Sequence, residues 1–429
     1  MTSKNMPVSA KNGDFKVVLL MALGFGLVGI DRFLISTMFP VIAEDLKLDY
    51  GDIGIITGAL AIAWGIAALI MGNLADRMGR RIVLVGSLLV FSLLIGVSGL
   101  AVGLLSLVAV RIMMGFADGA FTPASISATL EASPSERRGR NIGIQQMTLT
   151  LFGLGLAPIL VGALLHIVDW RWVFAIFTIP GLILVYFTQR YIPEKAQASD
   201  SDEIDHEAAA HGHSLGNSSL DDWRKVLSYS NVRILMVLML CWLTCLITTS
   251  AFMPSYLLDY LHLEFDQMVT VMTAIGFGSA AGTLLLPWLS DHLGRKPVML
   301  IATFGCVVSL LLLGSQGASV PTLFTFLFMV HFFNNALLTL TVGPVCAETV
   351  PVKLMATASG VVIAAGEFFG GGIAPIIVGT VADIYGIEYM LWLPIAVLII
   401  AFLLCTRLKE TKPNAHLFST EKNKLGDSL

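Results

Sequence analysis

GNLADRMGRR, residues 72–81, returns as PWLSDHLGRK, residues 287–296, 215 positions further along a chain of 429. Leucine, aspartate, glycine and a closing pair of basic residues recur at matching places. Two more stretches repeat at nearly the same distance: EASPSERRGRNIG at 131–143 answers to ETVPVKLMATASG at 348–360, and LAPILVG at 156–162 to IAPIIVG at 373–379. An offset of half the chain implies two related halves in the same orientation.

Composition says what each half is made of. Apolar residues make up 56% of the chain and charged residues 13%, about half the charged share of an ordinary soluble domain. Apolar runs of the length that crosses a bilayer as helix occupy 16–38, 51–73, 82–102, 104–131, 141–165, 171–191, 232–257, 267–289, 297–316, 320–347, 355–380 and 387–407. They are continuous rather than alternating and too long for barrel strands, so the reading is an all-α integral membrane protein with twelve transmembrane helices in two pseudo-symmetric six-helix bundles. The first run is too long for a signal-peptide core and stays in the mature chain.

Basic residues set the orientation. With the opening residues inside, all but four of the 26 lysines and arginines fall on the cytoplasmic side, which places both termini in the cytoplasm of a cell membrane. The segments are then a tail at 1–15, a bundle at 16–192, a polar and acidic linker at 193–231, a second bundle at 232–407 and a tail at 408–429. Five cysteines, at 241, 245, 306, 346 and 405, all sit in apolar runs without metal or disulfide spacing. No nucleophile-base set and no phosphate-binding glycine loop is present, so an enzyme is disfavoured and no cofactor is expected.

The first bundle carries charge where lipid should be. Asp31 and Arg32 stand side by side in GFGLVGIDRFLISTMFP (24–40), and Arg111 and Asp118 in LVAVRIMMGFADGAFTP (107–123). Seven residues separate the second pair, so both share a helix face about 10 Å apart along the axis. Each charge costs roughly 2.5–3.5 kcal/mol if unpaired at the membrane centre. Two of each sign offset one another, and the expectation is that the two acids hold the two arginines across the first and fourth helices. The alternative is a set of static pairs that only knits the helices. At the repeat offset the charges map onto Thr248, Thr249, Phe328 and Asn335. The second bundle is therefore expected to supply polar and aromatic shape through Thr248, Phe252, Asn334 and Asn335. Glu367 and His331 are the ionisable residues there, each a proton site or a structural partner. Gln145 and Gln146 are read as donors to a polar ligand.

GNLADRMGRR in this topological place resembles the signature of the major facilitator superfamily, and the resemblance covers nearly all of 16–407. It implies the major facilitator fold and a gating role at the cytoplasmic ends for Gly72, Asp76, Arg77, Gly79, Arg80 and Arg81, and for Asp291 and Arg295 in the second copy. The Asp-Arg pair with the Arg and acid seven apart is similar to the anion:cation symporter family, which usually has glutamate where Asp118 stands. That similarity implies proton-driven uptake of a small organic anion such as a sugar acid. Asp31, Asp118 and Glu367 would then couple protons, and Arg32 and Arg111 would engage the anion. Protons, that anion and membrane lipids are the expected partners of a monomer, with no nucleic acid. Spinster-type lipid carriers share much of the charge pattern. GLGLAPILVG (153–162) resembles a motif of drug:proton antiporters, although its copy in the other half reads as packing.

Overall fold

In a computed structural model, the described residues are 8–78, 80–134, 137–192, 220–351 and 354–411. Among them there is no strand, and twelve helices are long and apolar enough to cross a membrane. They are α1 (Val8–Leu46), α2 (Tyr50–Met78), α3 (Arg80–Ser98), α4 (Leu104–Ala132), α5 (Arg140–Leu165), α6 (Trp170–Tyr191), α7 (Ser230–Tyr260), α8 (Phe265–Leu293), α9 (Arg295–Gly314), α10 (Val320–Thr349), α11 (Thr357–Tyr385) and α12 (Ile387–Arg407). Below, the face that carries both ends of the described chain is called inner and the opposite face outer.

Besides the start of α1 at Val8, inside the expected tail at 1–15, two boundaries differ from the expectation. First, α1 runs on through Pro40 to Leu46, eight residues past the end of its apolar run. Ile42 is buried there, and Asp45 accepts hydrogen bonds from Arg171 (2.6 Å) and the Trp170 indole (3.2 Å), so the extension is anchored on the start of α6. Second, the linker is not unstructured to its end: Leu220–Ser228 forms a short helix that buries Val226.

The halves meet along α2 with α11 and α5 with α8, and also along α1 with α7. Glycine makes the first two seams possible by letting backbones touch. A Cβ on Gly58 of α2 would stand 2.5 Å from the Gly372 carbonyl oxygen of α11, and one on Gly276 of α8 would strike the backbone of Gly155 in α5. At the outer end the seams are latched by polar contacts. The Tyr50 hydroxyl donates to Asp259 (2.9 Å), the Gly51 amide to Asp383 (2.8 Å), and His166 meets Asp266 (2.9 Å).

Four helices widen into π turns: Leu151–Leu156 in α5, Tyr256–Tyr260 in α7, Thr341–Val345 in α10 and Gly366–Ile373 in α11. The turns in α5 and α11 stand at equivalent places of the repeat, just before the copied Ala-Pro, whose missing N–H frees a carbonyl one turn back.

Gly58→Val should lower the midpoint of thermal unfolding, since overpacking a tight seam costs about 1–3 kcal/mol. Gly86→Ala, where a Cβ meets nothing within 4 Å, should not lower it.

Candidate functional site: a buried charge cluster between the halves

Arg32 does not pair with its neighbour in sequence. Consecutive residues of a helix point about 100° apart, so Asp31 and Arg32 serve different partners. Arg32 crosses to the other half and holds Glu367 of α11 through two parallel hydrogen bonds, Nη2 to Oε2 at 2.8 Å and Nη1 to Oε1 at 3.2 Å. The pair is buried, at 9% and 6% exposure. The Trp64 ring of α2 lies over the guanidinium face at 4.6 Å, so the cation is met in its plane by carboxylate and on its face by an indole.

Local structure of α11 delivers Glu367. It sits at the start of the π turn Gly366–Ile373, in GEFFGGG. A Cβ on Gly371 would press on Glu367 Oε2 at 2.9 Å and come within 3.7 Å of Arg32 Nη2. The glycine therefore leaves the room that the ion pair occupies.

Asp31 turns toward α4. Arg111 Nη1 donates to the Asp31 main-chain carbonyl at 2.8 Å and lies 3.5 Å from its Oδ1. Asp118, one face-repeat further along α4, lies beside the Asp31 carboxyl and in the field of Arg111 and Arg32. It is fully buried, yet neither of its carboxyl oxygens accepts a hydrogen bond among the described residues, and the same holds for Asp31 Oδ2. Two guanidinium groups thus face three carboxyl groups. Arg32 and Arg111 also line a narrow cavity at the junction, with Phe33, Ser36, Thr57, Leu60 and, from the other half, Ile247 and Ser250.

The expectation that Asp31 and Asp118 hold the two arginines needs correction. Asp31 holds Arg111, but Arg32 is held by Glu367, because its side chain emerges on the face of α1 that looks across the seam. The division of labour by halves is corrected with it, since the second half contributes one of the three acids.

The remaining residues lie elsewhere. Gln145 is buried in α5 and donates to Ser125 of α4 at 2.9 Å, whereas Gln146, on the next helix face, is exposed. Thr248 bonds back to the Thr244 carbonyl, Asn334 donates to the Trp242 carbonyl at 3.1 Å and Asn335 to Ser279 at 2.6 Å. His331 meets Thr249 at 3.1 Å. His331, Asn334 and Asn335 knit α10 to α7 and α8 inside the second bundle, whereas the Thr248 bond stays within α7. Trp64, Thr57 and Gly371 were not singled out from sequence; the glycine run after Glu367 was the available signal for a close approach.

At the inner end, Gly72, Asp76 and Arg77 fall on α2 and Arg80 and Arg81 open α3. Gly79 and the side chains of 69–80 lie outside the described residues. Arg81 donates to the Gln189 carbonyl of its own half at 2.7 Å. Arg295 likewise binds its own half, through Asp291 (2.6 Å), Glu348 (2.9 Å) and Ser290 (2.6 Å), while Glu410 caps its main-chain amide at 2.9 Å.

A sequence model described as Major Facilitator Superfamily matches residues 21–271 and 248–426. Similar curated proteins include the 3-(3-hydroxy-phenyl)propionate transporter of Escherichia coli K12, 31% identical over 275 residues, which are 64% of this chain and 64% of that one. A probable L-galactonate transporter of the same organism is 26% identical over 383 residues, 82% of this chain and 80% of that one. Among solved structures, a bacterial homolog of the human lysosomal transporter Spinster, in an inward-facing and unoccupied conformation, superposes with a TM-score of 0.75 at 18% identity, covering 94% of this chain and 98% of that one. That last likeness is one of fold.

Replacing Glu367 with Leu strands Arg32 and should cost about 3–5 kcal/mol of stability, while Arg32→Met with Glu367→Leu together should cost much less than the two single changes added. Unfolding of the four proteins in detergent, read as a double-mutant cycle, measures this.

Proposed function

The chain belongs to the major facilitator superfamily, and from that premise we propose that it is a proton-coupled symporter that takes up a small organic anion by alternating access. The observation that carries this reading is the make-up of the buried cluster: two guanidinium groups, three carboxyl groups, and one of those, Asp118, with no donor among the described residues. With all five groups charged, the cluster is one positive charge short of neutral in a medium where net charge is expensive. A proton on the Asp31–Asp118 pair makes up the difference.

A second proton, on Glu367, would loosen its hold on Arg32. The planar fork of that guanidinium is matched to a carboxylate, so a substrate anion can take the place of the Glu367 carboxylate, with Arg111 a few side chains away in the same cavity wall. Coupling is then an exchange of partners on arginine. Because the Arg32–Glu367 pair joins the halves, that exchange also changes what holds them together at the midplane, which links occupancy to rocking. On the inner side, read as the cytoplasm from the distribution of basic residues, the higher pH removes the protons and the acids reclaim the arginines.

The names of the two relatives support the anion: a phenylpropionate and a galactonate each carry one carboxylate. No enzymatic step is involved in this reading, and the cell membrane is its setting.

Purified protein should be stabilised by organic acids in a thermal-shift screen, more so at acid than at neutral pH; stabilisation by lysolipids alone overturns the reading. Asp31→Asn or Asp118→Asn should abolish uptake driven by a proton gradient in vesicles. If gradient-driven uptake persists in both, the proton scheme is wrong. Two protons with a monoanion move one net charge, worth about 2.3 kcal/mol per 100 mV, so uptake should respond to membrane potential, and indifference to it excludes the second proton.

A further inference from the structure

Asp118 is enclosed. It is 0% exposed, and the lining of the junction cavity is made by Arg32 and Arg111 with their neighbours rather than by Asp118. A proton held there has no direct opening to either face through that cavity, so its release requires another route.

From Asp118 toward the inner face, α4 carries Thr122, Ser125, Thr129 and Ser133. The spacings of four, three, four and four residues keep all five side chains within about a quarter of the helix circumference. All are buried, on a helix that would be expected to present apolar residues to its neighbours. From α5, Asn141, Gln145 and Thr148 stand on one face by the same spacing, and two of them join the row: Gln145 Nε2 donates to Ser125 Oγ at 2.9 Å and Asn141 Nδ2 to Ser133 Oγ at 2.8 Å. Thr122 donates to the Asp118 carbonyl at 2.8 Å and Ser125 to the Thr122 carbonyl at 2.8 Å. The row spans about 22 Å, fifteen residues of helix, from the middle of the membrane to its inner edge. Ser133 ends it beside exposed Glu131 and Pro134.

Knitting α4 to α5 explains part of this row but not all of it. Thr129 Oγ1 and Gln145 Oε1 are fully buried and have no partner among the described residues, as do both oxygens of Asp118. A buried polar atom left without a partner costs about 1–3 kcal/mol, and a valine or leucine would remove that cost with no loss of packing. Beside the row, Ile126, Leu130 and Ile142 form an apolar cluster separate from the main core, so the track divides the packing at this end of the bundle.

We propose that Thr122, Ser125, Thr129, Ser133 and Gln145 form the inner half of a proton path that empties Asp118 toward the cytoplasm. The inference rests on the reading of Asp118 as a proton carrier. Neighbouring hydroxyls on the row are about 4.5–6 Å apart along the axis, a gap that one water bridges. The O–H bond of the Asp118 carboxyl breaks as a bond to the first water forms. Each hydroxyl or water then accepts a proton on a lone pair and gives up its own, and the last proton leaves to solvent. Nothing is oxidised, and every hydroxyl ends as it began, turned over. The charged groups facing Asp118 are Asp31 and Arg32 of α1 and Arg111 of its own helix, all on the side away from the row, so the path itself is neutral and does not trap the proton.

Infrared spectroscopy of the full chain in lipid tests this without a substrate. The protonated-carboxyl band of Asp118 is assigned by its loss in Asp118→Asn, and its shift is followed after exchange of the buffer into D2O. Thr129→Val and Gln145→Leu should each slow that exchange at least about tenfold, while Thr303→Val, which removes a buried hydroxyl of α9 in the other half, leaves it unchanged. Thermal unfolding separates a path defect from a folding defect, since Thr129 Oγ1 holds nothing in place and Thr129→Val should melt no lower than the parent. Exchange at parental rate in both track variants overturns the path, and so does equal slowing by Thr303→Val. A parent chain with no Asp118 carboxyl band at any pH from acid to neutral overturns the coupling reading itself, a separate result.

Discussion

Hydrocarbon cannot solvate a guanidinium, and Arg32 meets that constraint by reaching out of its own bundle for the Glu367 carboxylate. Much else follows from this one contact. It requires α11 to lie close against α2 beside α1, which the glycines at 58, 371 and 372 permit; it requires Glu367 to be aimed inward, which the π turn arranges; and it puts a buried midplane link between the halves on a residue that an anion can compete for. A stable pair and a labile one differ here only in what else is present to bind the arginine.

The two bundles share a scaffold and divide the chemistry unequally. Where the first has Asp31, Arg32 and Asp118, the second has Thr248, Thr249 and Asn335, neutral groups whose hydrogen bonds are satisfied within α7, α8 and α10. Such groups hold helices together in lipid without field or titration. The second bundle keeps one buried acid against the first bundle's two acids and two arginines. That acid lies on the helix paired with α2 rather than on the counterparts of α1 and α4, so the cluster is completed across the interface by the Arg32–Glu367 pair.

The helices and the doubling were legible in the sequence because both are one-dimensional signals. Apolar run length reports a bilayer crossing, and copied motifs report a repeat. Identification of the buried charges was equally direct, since nothing apolar masks an Asp-Arg pair. Their partnering was not. Adjacent residues on a helix diverge by 100°, so Asp31 and Arg32 face different helices, and the partner of Arg32 is neither of the two acids expected from the sequence but Glu367, 335 positions away. Gln145 and Gln146 illustrate the same limit: neighbours in the chain, one is buried and the other exposed. The helical extension of α1 past Pro40 was hidden for a different reason, because its anchor is the tertiary contact of Asp45 with Arg171.

The placement of Trp64 has a practical corollary. An indole stacked on a cation has its excited state perturbed by that charge, and displacement of the guanidinium toward an incoming anion would change the perturbation. The chain therefore carries its own fluorophore at the point of recognition. With seven tryptophans in all, the difference in emission between the parent and Trp64→Phe isolates that one ring, giving an optical titration of occupancy that needs neither label nor radioisotope.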